Sequence, residues 1–115
     1  MMRTAFSVPL LLLALATGAV AEDWQSLGPG EIAPALADVT LQYDSASQRF
    51  FASGRSLYDA GQESWGYWRE DAGTYCSQWP PGETWDCYTL DVNQAWDAFR
   101  FVARDGSETI GRITR

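Results

Sequence analysis

The chain has no histidine and no lysine. Histidine is the commonest general base near neutral pH, so its absence removes the Ser-His-Asp and Cys-His arrangements of nucleophilic catalysis. There are only two cysteines, Cys76 and Cys87. They are too far apart for a C-x-x-C pair, and no histidine is present to complete a zinc site with them. Once they are paired, no thiolate nucleophile is left. Neither G-x-G-x-x-G nor G-x-x-x-x-G-K-[ST] occurs, so nucleotide binding has no motif to rest on. Nothing in the sequence calls for a cofactor. The eight positive charges are all arginine, set against 15 acids, for a formal net charge of −7. An acid excess of this kind disfavours nucleic acid and anionic membranes. It is compatible with an uncharged small ligand, with a basic protein partner, or with solubility alone.

The first 21 residues read as a targeting segment. Arg3 supplies a positive start, residues 6–16 form an apolar run broken only by Ser7 and Pro9, and Ala19-Val20-Ala21 is a small-x-small cleavage site. The run is too short for a stable bilayer span. No twin-arginine pair accompanies it, and no cysteine adjoins the cleavage site for lipid attachment. Export with cleavage following Ala21 is therefore expected, giving a periplasmic or extracellular protein with no membrane anchor. Cleavage would leave 94 of the 115 residues and, with Arg3 gone, a charge of −8. That length is one domain. Residues 22–30 look like an N-terminal tether, and residues 31–115 like a single small β-domain.

Aromatic residues are abundant, and they concentrate between Trp65 and Tyr88, which also holds both cysteines. Pro81-Gly82 suits the centre of a type II turn, because proline presets φ and glycine accepts a positive one. That centre places Cys76 opposite Cys87 and Tyr75 opposite Tyr88. Opposed residues on antiparallel strands are close enough for a disulfide after a small adjustment. A structural disulfide is expected. Upstream, alternation puts Trp65, Tyr67 and Arg69 on one face of a strand and Gly66 and Trp68 on the other. Gly66 leaves a gap on its face that can admit a neighbouring ring or a ligand.

Strands are expected over residues 39–43, 48–52, 55–58, 64–70, 74–79, 84–90, 96–103 and 107–114, separated by turn signals such as Ser53-Gly54 and Asp105-Gly106. Residues 31–37 suit a short helix with Ile32 and Leu36 on one face. The class is all-β: an antiparallel meander curling into a small barrel or half-barrel, with a short N-terminal helix and one disulfide.

Candidate chemistry is thin. Asp91-x-Asn93-x-x-x-Asp97 resembles part of a calcium loop, but Trp96 stands where glycine is needed and Val102 where the bidentate glutamate belongs. Glu70 with Asp71, or Asp86 with Asp91, are acid pairs of the kind a glycosidase uses, yet acids flanking turns are usually solvated. The expectation is a non-enzyme. The candidate binding surface is aromatic: Trp65, Tyr67, Trp79 and Trp85, with Arg55 and Tyr58 nearby. Trp79 and Trp85, flanking the Pro-Pro-Gly turn, are expected to be the most exposed.

Gly54-Arg55-Ser56-Leu57-Tyr58, Ser64-Trp65-Gly66-Tyr67-Trp68, Tyr75-Cys76-Ser77-Gln78-Trp79-Pro80-Pro81 and Trp85-x-Cys87-Tyr88 together resemble a family of short secreted bacterial proteins of no established function. The resemblance implies export and a β-fold and supplies no site. Ser53-Gly54 followed by Tyr58 is also similar to the loop of periplasmic lysozyme inhibitors, small disulfide-bonded barrels that bind a basic enzyme. Here the tyrosine falls one residue late, and the lysine of their second motif has no counterpart. The leading expectation is an interaction module for an unknown protein or small ligand. The alternatives are an inhibitor of a basic wall-degrading enzyme and a purely structural envelope protein.

Overall fold

The computed structural model describes residues 22–114; the expected targeting segment lies outside the described residues. Two-residue alternation organises nine strands: β1 (Trp24–Ser26), β2 (Val39–Gln42), β3 (Ser47–Phe50), β4 (Arg55–Asp59), β5 (Glu63–Asp71), β6 (Thr74–Gln78), β7 (Asp86–Asn93), β8 (Ala98–Val102) and β9 (Glu108–Ile113). One short helix, α1 (Ile32–Leu36), precedes β2. Strands β2 to β9 pair antiparallel with their neighbours in chain order, and β9 returns to β2. The meander therefore closes into an eight-stranded barrel, and β1 adds a ninth strand on β7.

The inward positions of this barrel are the ones the alternation selects. On β5 Gly66 and Trp68 are buried, while Trp65, Tyr67 and Arg69 face solvent. On β8 Phe99 and Phe101 point in and Arg100 points out. Ile110 of β9 is turned outward and 40% exposed, because Thr109, Gly111 and Ile113 share the inward parity. The core holds Phe50, Trp68, Tyr75, Leu90, Phe99 and Phe101, joined by Ile32 and Leu36 of α1. An apolar interior and an outer face bearing Arg49, Arg55, Arg69 and Arg112 are the reverse of a barrel that spans a bilayer. Among the described residues no helix is long and apolar enough to cross a membrane.

Residues 22–30, expected as a tether, are part of the fold. The N-terminal half of β7 pairs with β6, as Tyr75↔Tyr88, Cys76↔Cys87 and Ser77↔Asp86. Past Thr89 that edge of β7 has no partner in β6, which has already turned back toward β5. Unpaired backbone groups at a partly buried edge are costly. β1 takes the place, as Ser26↔Asp91, Gln25↔Val92 and Trp24↔Asn93, and Leu27 follows into the core at 5% exposure. β7 thus runs on through Asn93, beyond the expected end at residue 90, with β8 on its other side pairing Asp91 and Val92.

The two cysteines form the expected disulfide, with Cα atoms 4.0 Å apart. This marks an oxidising, non-cytoplasmic compartment. The turn between them lies one residue earlier than the sequence suggests, inside a longer loop over residues 79–85, so it does not by itself set the cysteine register. The Gly82 N–H donates to the Trp79 carbonyl at 3.0 Å, so Pro80 and Pro81 form the centre, joined by a cis peptide bond. Gln78 Nε2 donates to the Glu83 carbonyl at 2.8 Å and braces the loop.

Helix α1 plugs one end of the barrel, with Ile32 and Leu36 wholly buried. It has no side-chain cap of its own. Glu70 supplies one from β5: its carboxylate accepts the N–H groups of Gly30, Ile32 (3.1 Å) and Ala33 (2.9 Å). The donors, Ala33 and Gly30 foremost, hold this carboxyl below the usual glutamate range. Glu70, expected as a solvated turn acid, is a tie between plug and wall. A carboxylate with a lowered folded-state pKa stabilises fully above its unfolded pKa, and the contribution fades as pH falls through the folded value. Glu70→Ala should therefore cost about 1–2 kcal/mol at neutral pH, as loss of a helix cap does. The gap from wild type should narrow in strong acid, and urea melts at both pH values test it. An unchanged gap at low pH would mean that the charge is not what holds the plug.

Candidate functional site

The barrel ends differ. Helix α1 fills one, together with the hairpins joining β3 to β4, β5 to β6 and β7 to β8. The opposite end stays open and is built by rings. Gly66 faces inward on β5, and a Cβ placed there would lie 2.5 Å from Trp79 Cε3 and 2.7 Å from the Gln78 carbonyl oxygen. The missing side chain lets the Trp79 indole lie across the β5 backbone. Gly111 on β9 does the same for Tyr43, whose Cε1 would lie 2.7 Å from an added Cβ. Trp79 is held further by its Nε1–H donating to Ser77 Oγ at 3.3 Å, and by an edge-on contact with Tyr58 at 6.0 Å. Gly66→Ala should destabilise the protein by about 1–3 kcal/mol, the usual cost of overpacking. It should also shift the Trp79 fluorescence as the ring leaves its seat. A variant with unaltered melting and emission would remove Trp79 from the mouth wall.

The resulting cavity has a volume of about 680 Å³. The rings of Tyr43, Tyr58, Trp79, Tyr88 and Phe101 wall it, and Trp65 borders it from the outer face of β5. Gln48, Tyr75 and Ser77 line it deeper, and Ser64 and Thr109 sit on its rim. No lining side chain is charged. The deeper polar groups form a connected set. Tyr43 OH donates to Gln48 Oε1 at 2.7 Å, and Gln48 Nε2 donates to Ser56 Oγ at 2.8 Å. The Tyr75 hydroxyl lies 3.5 Å from the same Nε2. Such a set, paired inside a barrel, fixes the orientation of its members. Burial pushes the Tyr75 phenol up to about 12 and raises those of Tyr43 and Tyr88. All three stay neutral throughout the physiological range, as donors rather than phenolates.

The structure gathers Tyr58 and Trp79 at this mouth, sets Trp65 at its edge with the ring on the outer face against Phe51, and leaves Arg55, Tyr67 and Trp85 outside it. Those three belong to an outer stripe of arginines lying on rings. Arg55 lies over Trp65 at 4.5 Å and Tyr67 at 5.9 Å, and Arg69 lies over Trp85 at 4.0 Å. Trp79 and Trp85 are half-buried, against the expectation that they would be the most exposed. Trp65 at 45%, Tyr67 at 42% and Trp96 at 49% are the exposed ones. The reasons are the Gly66 gap, which Trp79 fills, and the Arg69 guanidinium, which covers Trp85.

Tyr43, Gln48, Ser64, Tyr75, Ser77, Tyr88, Phe101 and Thr109 are not singled out by sequence reasoning. One signal was available: Gln48 shares its strand face with Phe50, and Ser77 shares one with Tyr75. Polar residues on a core-facing parity mark either a buried network or a cavity.

The remaining candidates serve the framework. Asp91 accepts Ser26 Oγ at 2.9 Å and the Arg100 guanidinium at 2.7 and 2.9 Å. Asn93 Oδ1 accepts the N–H groups of Asp97 and Ala98, capping the turn that holds Trp96 out. Among the described residues no group of three or more acidic, cysteine or histidine side chains is placed to hold a metal. The Ser53-Gly54 turn lies at the plugged end of β4, whereas Tyr58 lies at the mouth end and turns inward. The two halves of the lysozyme-inhibitor-like loop are thus at opposite ends of a strand. Comparison with protein-family models, with curated proteins and with solved structures finds no match to this chain.

Proposed function

We propose that this chain is an exported, non-enzymatic binding module that takes a small uncharged ligand into the open mouth of its barrel. The observation that carries the reading is the mouth cavity, walled by rings and free of charged side chains. Its volume falls within the roughly 300–1,000 Å³ typical of small-ligand sites. A few polar groups set in an aromatic wall are what such sites use to orient a ligand. An ion entering would lose its hydration with no counter-charge to replace it. The disulfide and the leader-like residues 1–21 support export, with cleavage after Ala21. The absence of histidine and of a free thiol supports a role without catalysis.

The test is a thermal-shift and tryptophan-emission screen of the mature protein against uncharged small molecules. Hits should perturb Trp79 and should be weakened by Gly66→Ala. Turnover of a substrate by the purified protein, or hits that leave the mouth residues unperturbed, would sink the reading.

A further inference from the structure

We infer that the mouth ligand is an uncharged saccharide, an inference that rests on the mouth reading above and narrows it. Tyr58, Tyr88, Ser64 and Thr109 all line the cavity, and their hydroxyls form no hydrogen bond with any described residue. They sit among aromatic walls, with the Gln48 network beneath them already paired within itself. Four unpartnered hydroxyls, each able to donate and accept, match a ligand that carries several hydroxyls of its own.

Three other ligand classes fit less well. A charged ligand meets no opposite charge in the lining, and an anion is further opposed by the net charge of −7. A fatty chain needs an apolar shaft, but Gln48, Ser56 and Ser77 lie beneath the mouth, and Ile32 and Leu36 plug the far end. A flat arene without polar groups suits the walls but strips water from the rim hydroxyls and returns nothing for it. A neutral sugar meets both requirements at once. Its C–H faces pack against Tyr58, Trp79 and Phe101, and its hydroxyls exchange hydrogen bonds with the rim. Because Tyr88 is a neutral phenol with a raised pKa, its hydroxyl serves as donor or acceptor in that exchange.

The experiment is an amide-resolved NMR titration of the mature, oxidised protein with four probes at millimolar concentration: methyl glucoside, cellobiose, glucuronate and indole. Shifts confined to mouth residues, from at least one neutral sugar and roughly tenfold weaker for glucuronate, are expected. Tyr58→Phe and Thr109→Val remove a hydroxyl each while keeping the wall. Each should lower the affinity for the sugar by about 3- to 10-fold, leave indole binding no weaker and leave the melting temperature within error of wild type. Mouth shifts with indole alone would overturn the saccharide assignment and leave the mouth as a binding site. Equal affinity for glucuronate, or sugar binding indifferent to both hydroxyl deletions, would also overturn the assignment. No mouth shifts from any probe would overturn this inference and the reading beneath it together.

Discussion

Phe50→Ala is expected to destabilise the barrel by about 3–5 kcal/mol, the usual range for truncating a buried aromatic ring. For a domain of this size that lowers the melting temperature by at least about 12 °C. Phe50 is wholly buried and meets rings from three other strands. It stands edge-on to Trp68 at 5.9 Å and to Tyr75 at 5.8 Å, and it stacks on Phe101 at 6.1 Å. Those neighbours are not free to collapse into the space it would leave. Trp68 donates its Nε1–H to the Phe51 carbonyl at 2.8 Å, and the Tyr75 hydroxyl lies against Gln48. A cavity that cannot close costs toward the upper end of the range. Phe50→Leu keeps much of the volume and should cost far less. Urea and thermal melts of the two variants read the difference. If Phe50→Ala stays within about 1 kcal/mol of wild type, the core does not rest on that ring.

Cys87→Ser should cost about 2–5 kcal/mol and leave a free thiol at Cys76. The bridge closes a loop with a sequence separation of 11, for which chain entropy alone accounts for roughly 3 kcal/mol. The effect should be largest near the mouth, because residues 79–85 are otherwise held by few bonds: the Trp79–Gly82 turn and the Gln78 side chain to Glu83. Trp79 and Pro80 of that loop line the cavity, so the variant should also lose ligand affinity if the mouth is the site. Hydrogen exchange across residues 74–90, compared with wild type, separates local loosening from global loss. Uniform loss of protection over the whole barrel would mean the bridge stabilises the fold without shaping the mouth.

The strand framework was legible because alternation is a local signal. The two faces of β5 follow from period two alone, whereas in the sequence the pairing of Cys76 with Cys87 rests on a turn centred on Pro81-Gly82, and the longer loop over residues 79–85 arrives at the same register. β1 was not legible. Three residues flanked by Gly28-Pro29-Gly30 carry no periodicity worth reading, and their partner on β7 lies about 65 positions away. The mouth was half legible. Gly66 announces a gap, but nothing local says that Trp79 fills it, since that contact depends on where the β6–β7 loop folds back. Gln48 and Ser77 on core-facing parity were a visible irregularity whose meaning only closure of the barrel supplies. The capping role of Glu70 is of the same kind, because its donors lie some 40 residues upstream.

The seam of the barrel joins its first strand to its last. β2 meets β9 through only two register pairs, Leu41↔Ile113 and Gln42↔Arg112, with Thr114 reaching back to the Thr40 carbonyl. Every other joint of the meander is local, so a chain emerging in order can zip hairpin onto hairpin as it appears. The seam alone must wait for β9, and until that strand arrives the meander is an open curl with both margins bare. Closure is thus the last contact to become available and the one with the greatest loop entropy to overcome. A barrel built this way cannot close before β9 is free to pair. Its mouth, whose walls come from both sides of that seam through Tyr43 and Thr109, does not exist until those two strands have met.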